Sequence, residues 1–68
     1  MNEQPVLLTP PEAARLLRLA TQSLANMRFK RRGPKYIKLP HGGHIRYPLA
    51  DLQRFLEENS INPDEAAG

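Results

Sequence analysis

The side chains of this 68-residue sequence that can do chemistry are mostly cations. Nine of its ten lysines and arginines fall between residues 15 and 47, a stretch without Asp or Glu, whereas the segments on either side are acidic. Such a concentration of one charge is typical of a surface that binds a polyanion, and nucleic acid and anionic membrane are the two obvious partners. These cations are Arg15, Arg18, Arg28, Lys30, Arg31, Arg32, Lys35, Lys38 and Arg46.

Other kinds of chemistry are disfavoured by the same sequence. There is no cysteine, which excludes disulfides, thiolate metal sites and cysteine nucleophiles. Ser23 and Ser60 have no base and orienting acid arranged for them, so we predict that the protein is not an enzyme. His41 and His44 lack a neighbouring cysteine or carboxylate that would complete a ligand set. We therefore expect no metal, no cofactor and no small-molecule ligand.

A membrane partner is also disfavoured. The apolar runs are far shorter than the roughly 20 residues that a spanning helix needs. Neither a signal peptide nor a lipidation motif is evident. We expect a cytoplasmic protein whose partner is nucleic acid.

Two amide side chains are spaced to contact bases. Gln22 and Asn26 are one helical turn apart on the face opposite Leu24, and each amide can bridge N6 and N7 of adenine in the major groove. Their alternative role is that of ordinary solvent-facing residues. Thr21 and Ser23, at the start of the same helix, suit hydrogen bonds to phosphate, although Thr21 equally suits a capping role.

The basic residues that follow are interpreted as phosphate contacts. Arg28, Lys30, Arg31 and Arg32 form the densest run, and Arg28 leans toward the apolar face, where it would instead brace the fold. In the loop and hairpin beyond them, two glycines allow the backbone to approach a groove closely, and an arginine can enter the narrow minor groove. The candidates of that region are Lys35, Lys38, His41, Gly42, Gly43, His44 and Arg46.

Local signals place these residues on defined elements. Thr9 and Glu12 form a capping-box pattern that starts a helix over roughly residues 10–18. A second helix follows over residues 21–30, with Thr21 as its cap, and Gly33 with the proline after it ends that helix. Residues 36–39 and 44–47 are predicted as a hairpin, and a third helix begins at Pro48.

The aromatic residues divide into two groups. Tyr36, Tyr47 and Phe55 are expected in the core rather than as stacking platforms for single strands. Phe29 is predicted on the outward face of the second helix, where it contacts a thymine methyl, another copy of the protein or its own loop.

The order of elements describes a small α+β winged helix-turn-helix: a helix-turn-helix, a two-stranded β-hairpin wing and a C-terminal helix. The predicted domain spans residues 7–58. Residues 1–6 are expected to be flexible and residues 59–68 to form a disordered tail.

Several segments in this order resemble one family, the excisionase-type, MerR-like helix-turn-helix proteins of phages and mobile elements. The resemblance covers roughly residues 7–57 and rests on LTPPEAARLL (8–17), SLANMR (23–28), GPKYIKL (33–39), RY (46–47) and the DL and FL pairs of residues 51–56.

The sequence departs from this family pattern at three positions of the second helix. Ala20 stands where the family usually has Ser, Ala25 where an aromatic or basic residue is common, and Met27 where Trp is usual.

The resemblance implies a DNA-binding protein without catalytic activity, acting at the nucleoid of a bacterial host. Residues 21–30 would lie in the major groove and the turn at residues 41–44 would approach the minor groove. The implied partners are double-stranded DNA, an integrase or other recombinase, and further copies of this chain on adjacent sites. A small transcriptional regulator of a phage-like operon is the alternative, and an RNA-binding or protein-interaction module is a third possibility.

Overall fold

The computed structural model describes residues 4–63, which form three helices and a three-stranded antiparallel sheet. This architecture confirms the predicted small α+β winged helix-turn-helix. The predictions for residues 1–3 and 64–68 lie outside the described residues. In chain order the elements are β1 (Leu7–Leu8), α1 (Pro10–Leu17), α2 (Thr21–Phe29), β2 (Ile37–Lys38), β3 (Ile45–Pro48) and α3 (Leu49–Glu58).

The start of α1 has the predicted capping box. The backbone N–H of Thr9 donates to Glu12 Oε1 at 2.8 Å, and the N–H of Glu12 donates to Thr9 Oγ1 at 3.4 Å. The hydrogen bond from the Thr9 N–H, followed by that from its hydroxyl, lowers the pKa of Glu12, and the charges of Arg15 and Arg46 act in the same direction. The first turn of α1 is therefore fixed by residues close together in the sequence.

Both helices of the helix-turn-helix end at a left-handed arginine. Arg18 has φ 60°, and the N–H of Leu19 donates to Ala14 O at 2.8 Å. Arg31 has φ 58°, and the N–H of the following residue closes α2 in the same way. These are Schellman motifs, in which glycine is usual at the left-handed position. The prediction that Gly33 caps α2 was wrong, because the reversal occurs two residues earlier.

The start of α2 also differs from the prediction. Ala20, not Thr21, is the extended residue that precedes the helix, and its carbonyl accepts from the N–H of Leu24 at 3.2 Å. Thr21 is already helical, so its side chain does not occupy the capping position, and no side chain of the described residues caps α2. The capping role predicted for Thr21 was wrong.

The sheet has the order β1-β3-β2, with both outer strands antiparallel to β3. The predicted hairpin is present as β2 and β3, paired at Ile37 with Arg46 and at Lys38 with Ile45. The prediction of a two-stranded sheet missed β1, in which Leu8 pairs with Tyr47. This extra strand ties the wing to the segment that precedes α1.

The core is small and lies between α1, α2, β3 and α3. Its fully buried side chains are Ala13, Ala14, Leu24, Tyr47 and Leu52. Alanines on α1 allow the neighbouring elements to approach closely. Because Leu24 is buried, the opposite face of α2, which carries Gln22 and Asn26, is exposed to solvent.

The aromatic predictions had mixed outcomes. Tyr47 is buried as predicted, and Phe55 is half-buried. The prediction of a core position for Tyr36 was wrong, since 45% of this residue is exposed and its ring lies tilted against Tyr47 at a centroid distance of 6.1 Å. Phe29 is on the outward face as predicted and is 73% exposed.

Candidate nucleic-acid interface

The outward face of α2 carries a paired set of amides. Gln22 and Asn26 are both exposed, and Gln22 Nε2 donates to Asn26 Oδ1 at 3.0 Å. This hydrogen bond leaves Gln22 Oε1 as an acceptor and Asn26 Nδ2 as a donor. Adenine presents a donor, N6, beside an acceptor, N7, in the major groove, so the amide pair is complementary to that edge.

The N-terminus of α2 presents further hydrogen-bonding groups. Thr21 and Ser23 are exposed, and across residues 4–63 no side chain caps this end of the helix. Its first backbone N–H groups and the positive end of its dipole are therefore available to a phosphate.

Arg28 has the bracing position that was the alternative to a DNA contact. One of its terminal nitrogens, Nη1, donates to the hydroxyl of Tyr47 at 3.1 Å. Its guanidinium carbon also lies 5.2 Å from the centroid of the Phe29 ring and 5.8 Å from that of Tyr36. Arg28 thus joins the end of α2 to the sheet, and its charge lies beside two exposed aromatic rings.

A cleft of about 380 Å³ separates the C-terminal end of α2 from the wing, by which we mean β2, β3 and the connecting residues 39–44. A second cavity of about 340 Å³ continues along the loop of residues 31–36 and shares Arg31 and Tyr36 with the first. Among residues 4–63, those lining either cavity include no Asp or Glu. The cleft is lined by Arg28, Phe29, Arg31, Tyr36, Lys38, Gly43 and Ile45.

The tip of the wing is a tight turn with little side-chain volume, because it contains two glycines with positive φ. His41, Gly42 and Gly43 have φ values of 59°, 116° and 67°, and the N–H of Leu39 donates to His44 O at 2.8 Å to close the turn. A Cβ at Gly42 would lie 3.1 Å from the imidazole of His44 in addition to straining the backbone. The two histidines are exposed, and no group of three or more potential metal ligands occurs in the described part of the chain.

The structure does not bring every candidate to the cleft. Arg46 is half-buried within β3, its Nη1 donates to Ile45 O at 2.8 Å, and its charge influences Glu12 at the start of α1. This side chain is therefore absent from the cleft lining. The remaining basic candidates lie exposed around α2, the loop and the wing: Lys30, Arg31, Arg32, Lys35 and Lys38.

Comparison with known families identifies the helix-turn-helix part of this surface. The sequence profile of the helix-turn-helix domain family matches residues 7–60, which is most of the chain. The protein belongs to the helix-turn-helix domain family. No curated protein and no solved structure matches the chain. Membership supports sequence-specific DNA binding by this helix-turn-helix domain.

The electrostatics of the helix-turn-helix domain agree with a DNA partner. Arg54 forms an ion pair with Asp51 at 3.2 Å, and both residues lie on α3. Within residues 4–63, none of the nine cations of residues 15–47 forms an ion pair. No carboxylate of the part of the chain that the structure describes therefore neutralises these charges by contact. None of the helices in the described range is long and apolar enough to cross a membrane.

Sequence reasoning missed one part of this surface. Tyr36, which lines the same cleft as Phe29, was predicted in the core, and its exposure depends on how α2 docks against the sheet. The proximity of Arg28 to both rings depends on the fold and has no local signal in the sequence.

Proposed function

We propose that this helix-turn-helix domain binds duplex DNA with α2 in the major groove and the wing in the adjacent minor groove, and that it serves as the excisionase of a phage or mobile element. In this proposal Gln22 and Asn26 contact bases, while the exposed cations contact phosphates. We assign it no catalytic step.

The observation that carries the DNA-binding part is the cleft between α2 and the wing. If a helix occupies the major groove and a hairpin the neighbouring minor groove, one sugar-phosphate strand must pass between them. Arg31 and Lys38 line the cleft through which that strand would run, and no lining residue in the described range is acidic. The cleft thus offers positive charge where the duplex is most negative.

The excisionase role is supported by the resemblance of the ordered segments to excisionase-type proteins. A single module of this kind typically buries roughly 600–1,000 Å² on DNA, which makes tight binding by one copy unfavourable. We therefore propose that several copies bind cooperatively at adjacent sites. Their cations would neutralise phosphates on one side of the duplex and favour a bend, which would help an integrase assemble for excision.

Footprinting on the attachment-site DNA of an adjacent integrase gene tests this proposal. We expect protection of adjacent sites that fill together as protein is added, and slower migration of fragments in which the site is central, as a bend requires. Addition of the protein to a recombination reaction should favour excision over integration. One isolated site without a bend, together with no effect on recombination, would favour the transcriptional regulator.

A further inference from the structure

The cleft between α2 and the wing has two exposed aromatic walls that the proposed amide contacts to bases and cation contacts to phosphates do not use. Phe29 is 73% exposed and Tyr36 is 45% exposed, and both line the same cleft. Large aromatic groups beside cations are the combination with which proteins hold unpaired bases. Gln22 and Asn26, which face the base edges in the proposed complex, do not line this cleft.

The charges in the cleft select an anionic occupant. Arg28 is held by Tyr47 at 3.1 Å, so its guanidinium is fixed beside both rings at 5.2 and 5.8 Å. Arg31 and Lys38 line the same cleft, and its lining within residues 4–63 contains no carboxylate. A planar ring joined to a negative charge would satisfy both the aromatic walls and the cations.

We propose that this cleft binds a single unstacked nucleotide, with the base against Phe29 or Tyr36 and the phosphate beside Arg31 and Lys38. The cleft volume of about 380 Å³ leaves room for one nucleotide. Gly43 lines the cleft without a side chain, and its φ of 67° disfavours any residue with a Cβ at this position. Since every base has a π-face, the site accepts any of the four bases.

The nucleotide comes from the bound DNA itself, an assignment that rests on the proposed function. The strand that passes between α2 and the wing enters the cleft in that complex, and a base expelled from it has the two rings within reach. Free mononucleotides share the same chemistry and are the other source that the experiment must separate.

The test compares two dissociation constants measured at one salt concentration by fluorescence anisotropy. One duplex is fully paired, and the other has a single unpaired adenosine in the same sequence. We expect the wild-type protein to bind the bulged duplex about tenfold more tightly, since a base that stacks on an aromatic side chain contributes roughly this factor or more to affinity. In Phe29→Ala and Tyr36→Ala this ratio should fall toward unity.

Two controls make the ratio specific to the cleft. Leu56→Ala removes an exposed apolar side chain on α3 and should keep the wild-type ratio. Phe29→Trp retains an aromatic face and should also keep the wild-type ratio of the two dissociation constants. Because each ratio compares two DNAs bound by one variant, a general loss of DNA affinity cancels.

Calorimetric titration with adenosine monophosphate separates the two sources. A tenfold ratio without measurable mononucleotide binding assigns the site to the bound DNA, which is the expected result. Mononucleotide binding that is lost in Phe29→Ala, with a ratio of unity, assigns it to free nucleotides. Binding of the paired duplex with neither effect overturns this inference alone, whereas failure to bind either duplex contradicts the proposed function as well.

Discussion

Gln22 and Asn26 are hydrogen-bonded to each other in the free protein. Their hydrogen bond of 3.0 Å fixes two exposed side chains one turn apart on α2. Ordering a long side chain on binding has an entropic cost, and part of that cost is met here within the free protein. The pair is therefore suited to discriminate between bases rather than only to add affinity.

Replacing either amide should reduce discrimination between DNA sites. In Gln22→Ala and Asn26→Ala we expect a loss of about 1–3 kcal/mol of preference for the selected sequence over random DNA, because one base contact and its partner's orientation are lost. Selection from a randomised duplex pool, followed by affinity measurements on the enriched and random sequences, checks this. Gln53→Ala, an exposed amide on α3, is the matched control. An equal loss on both DNAs would show that α2 does not read bases.

Removing a cation from the loop should weaken binding to all duplexes alike. Arg31→Gly deletes the charge while keeping the left-handed backbone at φ 58°, and Arg32→Ala deletes the next charge along the chain. If each contacts one phosphate, the slope of log K against log salt should become less steep by about 1. Arg54→Ala, on α3, should leave the slope unchanged. A loss confined to one DNA sequence would contradict the phosphate role.

Among the elements, α1 depends most clearly on its side-chain cap, whereas no side chain in the described part of the chain caps α2. Thr9→Ala removes the hydroxyl that accepts from the Glu12 N–H and should lower stability by about 1 kcal/mol, which corresponds to about 4–8 °C in Tm for a domain of this size. Thr9→Ser should retain most of the wild-type stability, and Thr21→Ala should change Tm little. Thermal unfolding followed by circular dichroism measures the Tm of the three variants. A similar loss in Thr21→Ala would contradict the observed start of α2.

The charge of Glu12 gives α1 a pH dependence. Hydrogen bonds from Thr9 lower the pKa of this carboxyl in the folded protein, so its stabilisation is present above the unfolded pKa and is lost as pH falls through the lower folded pKa. Glu12→Gln keeps a capping-box side chain but removes the charge. We expect wild type to have the higher Tm at pH 7 and the difference to vanish in acid. A difference that grows as pH falls would contradict this assignment.

The sequence predicted the elements whose signals are local. The capping box of α1 needs only Thr9 and Glu12, and the turn between β2 and β3 needs only a few residues with suitable backbone preferences. Strand β1 escaped prediction because two leucines carry no periodicity, and their pairing with β3 is a contact distant in sequence.

In the candidate site, too, the features with local signals could be predicted and those that depend on tertiary packing could not. The outward position of Gln22 and Asn26 follows from helical periodicity once Leu24 is taken as buried. The exposure of Tyr36 and the bond from Arg28 to Tyr47 depend on how α2 docks against the sheet, which no local pattern encodes. Arg31 was predicted as a phosphate contact, but its left-handed backbone, at which the chain turns away from α2, was not predicted.

The whole molecule separates its charges between two regions. Nine of the ten cations lie between residues 15 and 47, on or beside α1, α2, the loop and the wing, whereas α3 carries Asp51, Glu57 and Glu58 against the single cation Arg54. A formal net charge of +3 therefore understates the potential around the cleft. The small core serves mainly to hold α2 and the wing on either side of that cleft.

The salt dependence of DNA affinity tests the central claim most directly. Binding of the full chain to duplex DNA is measured by fluorescence anisotropy from 50 to 200 mM salt, a range over which phosphate-dominated binding falls steeply, with single-stranded RNA as the competitor. About six phosphate contacts predict a slope of log K against log salt near −5, with RNA competing poorly. A nearly flat slope, or equal binding to single-stranded RNA, would contradict a duplex held between α2 and the wing.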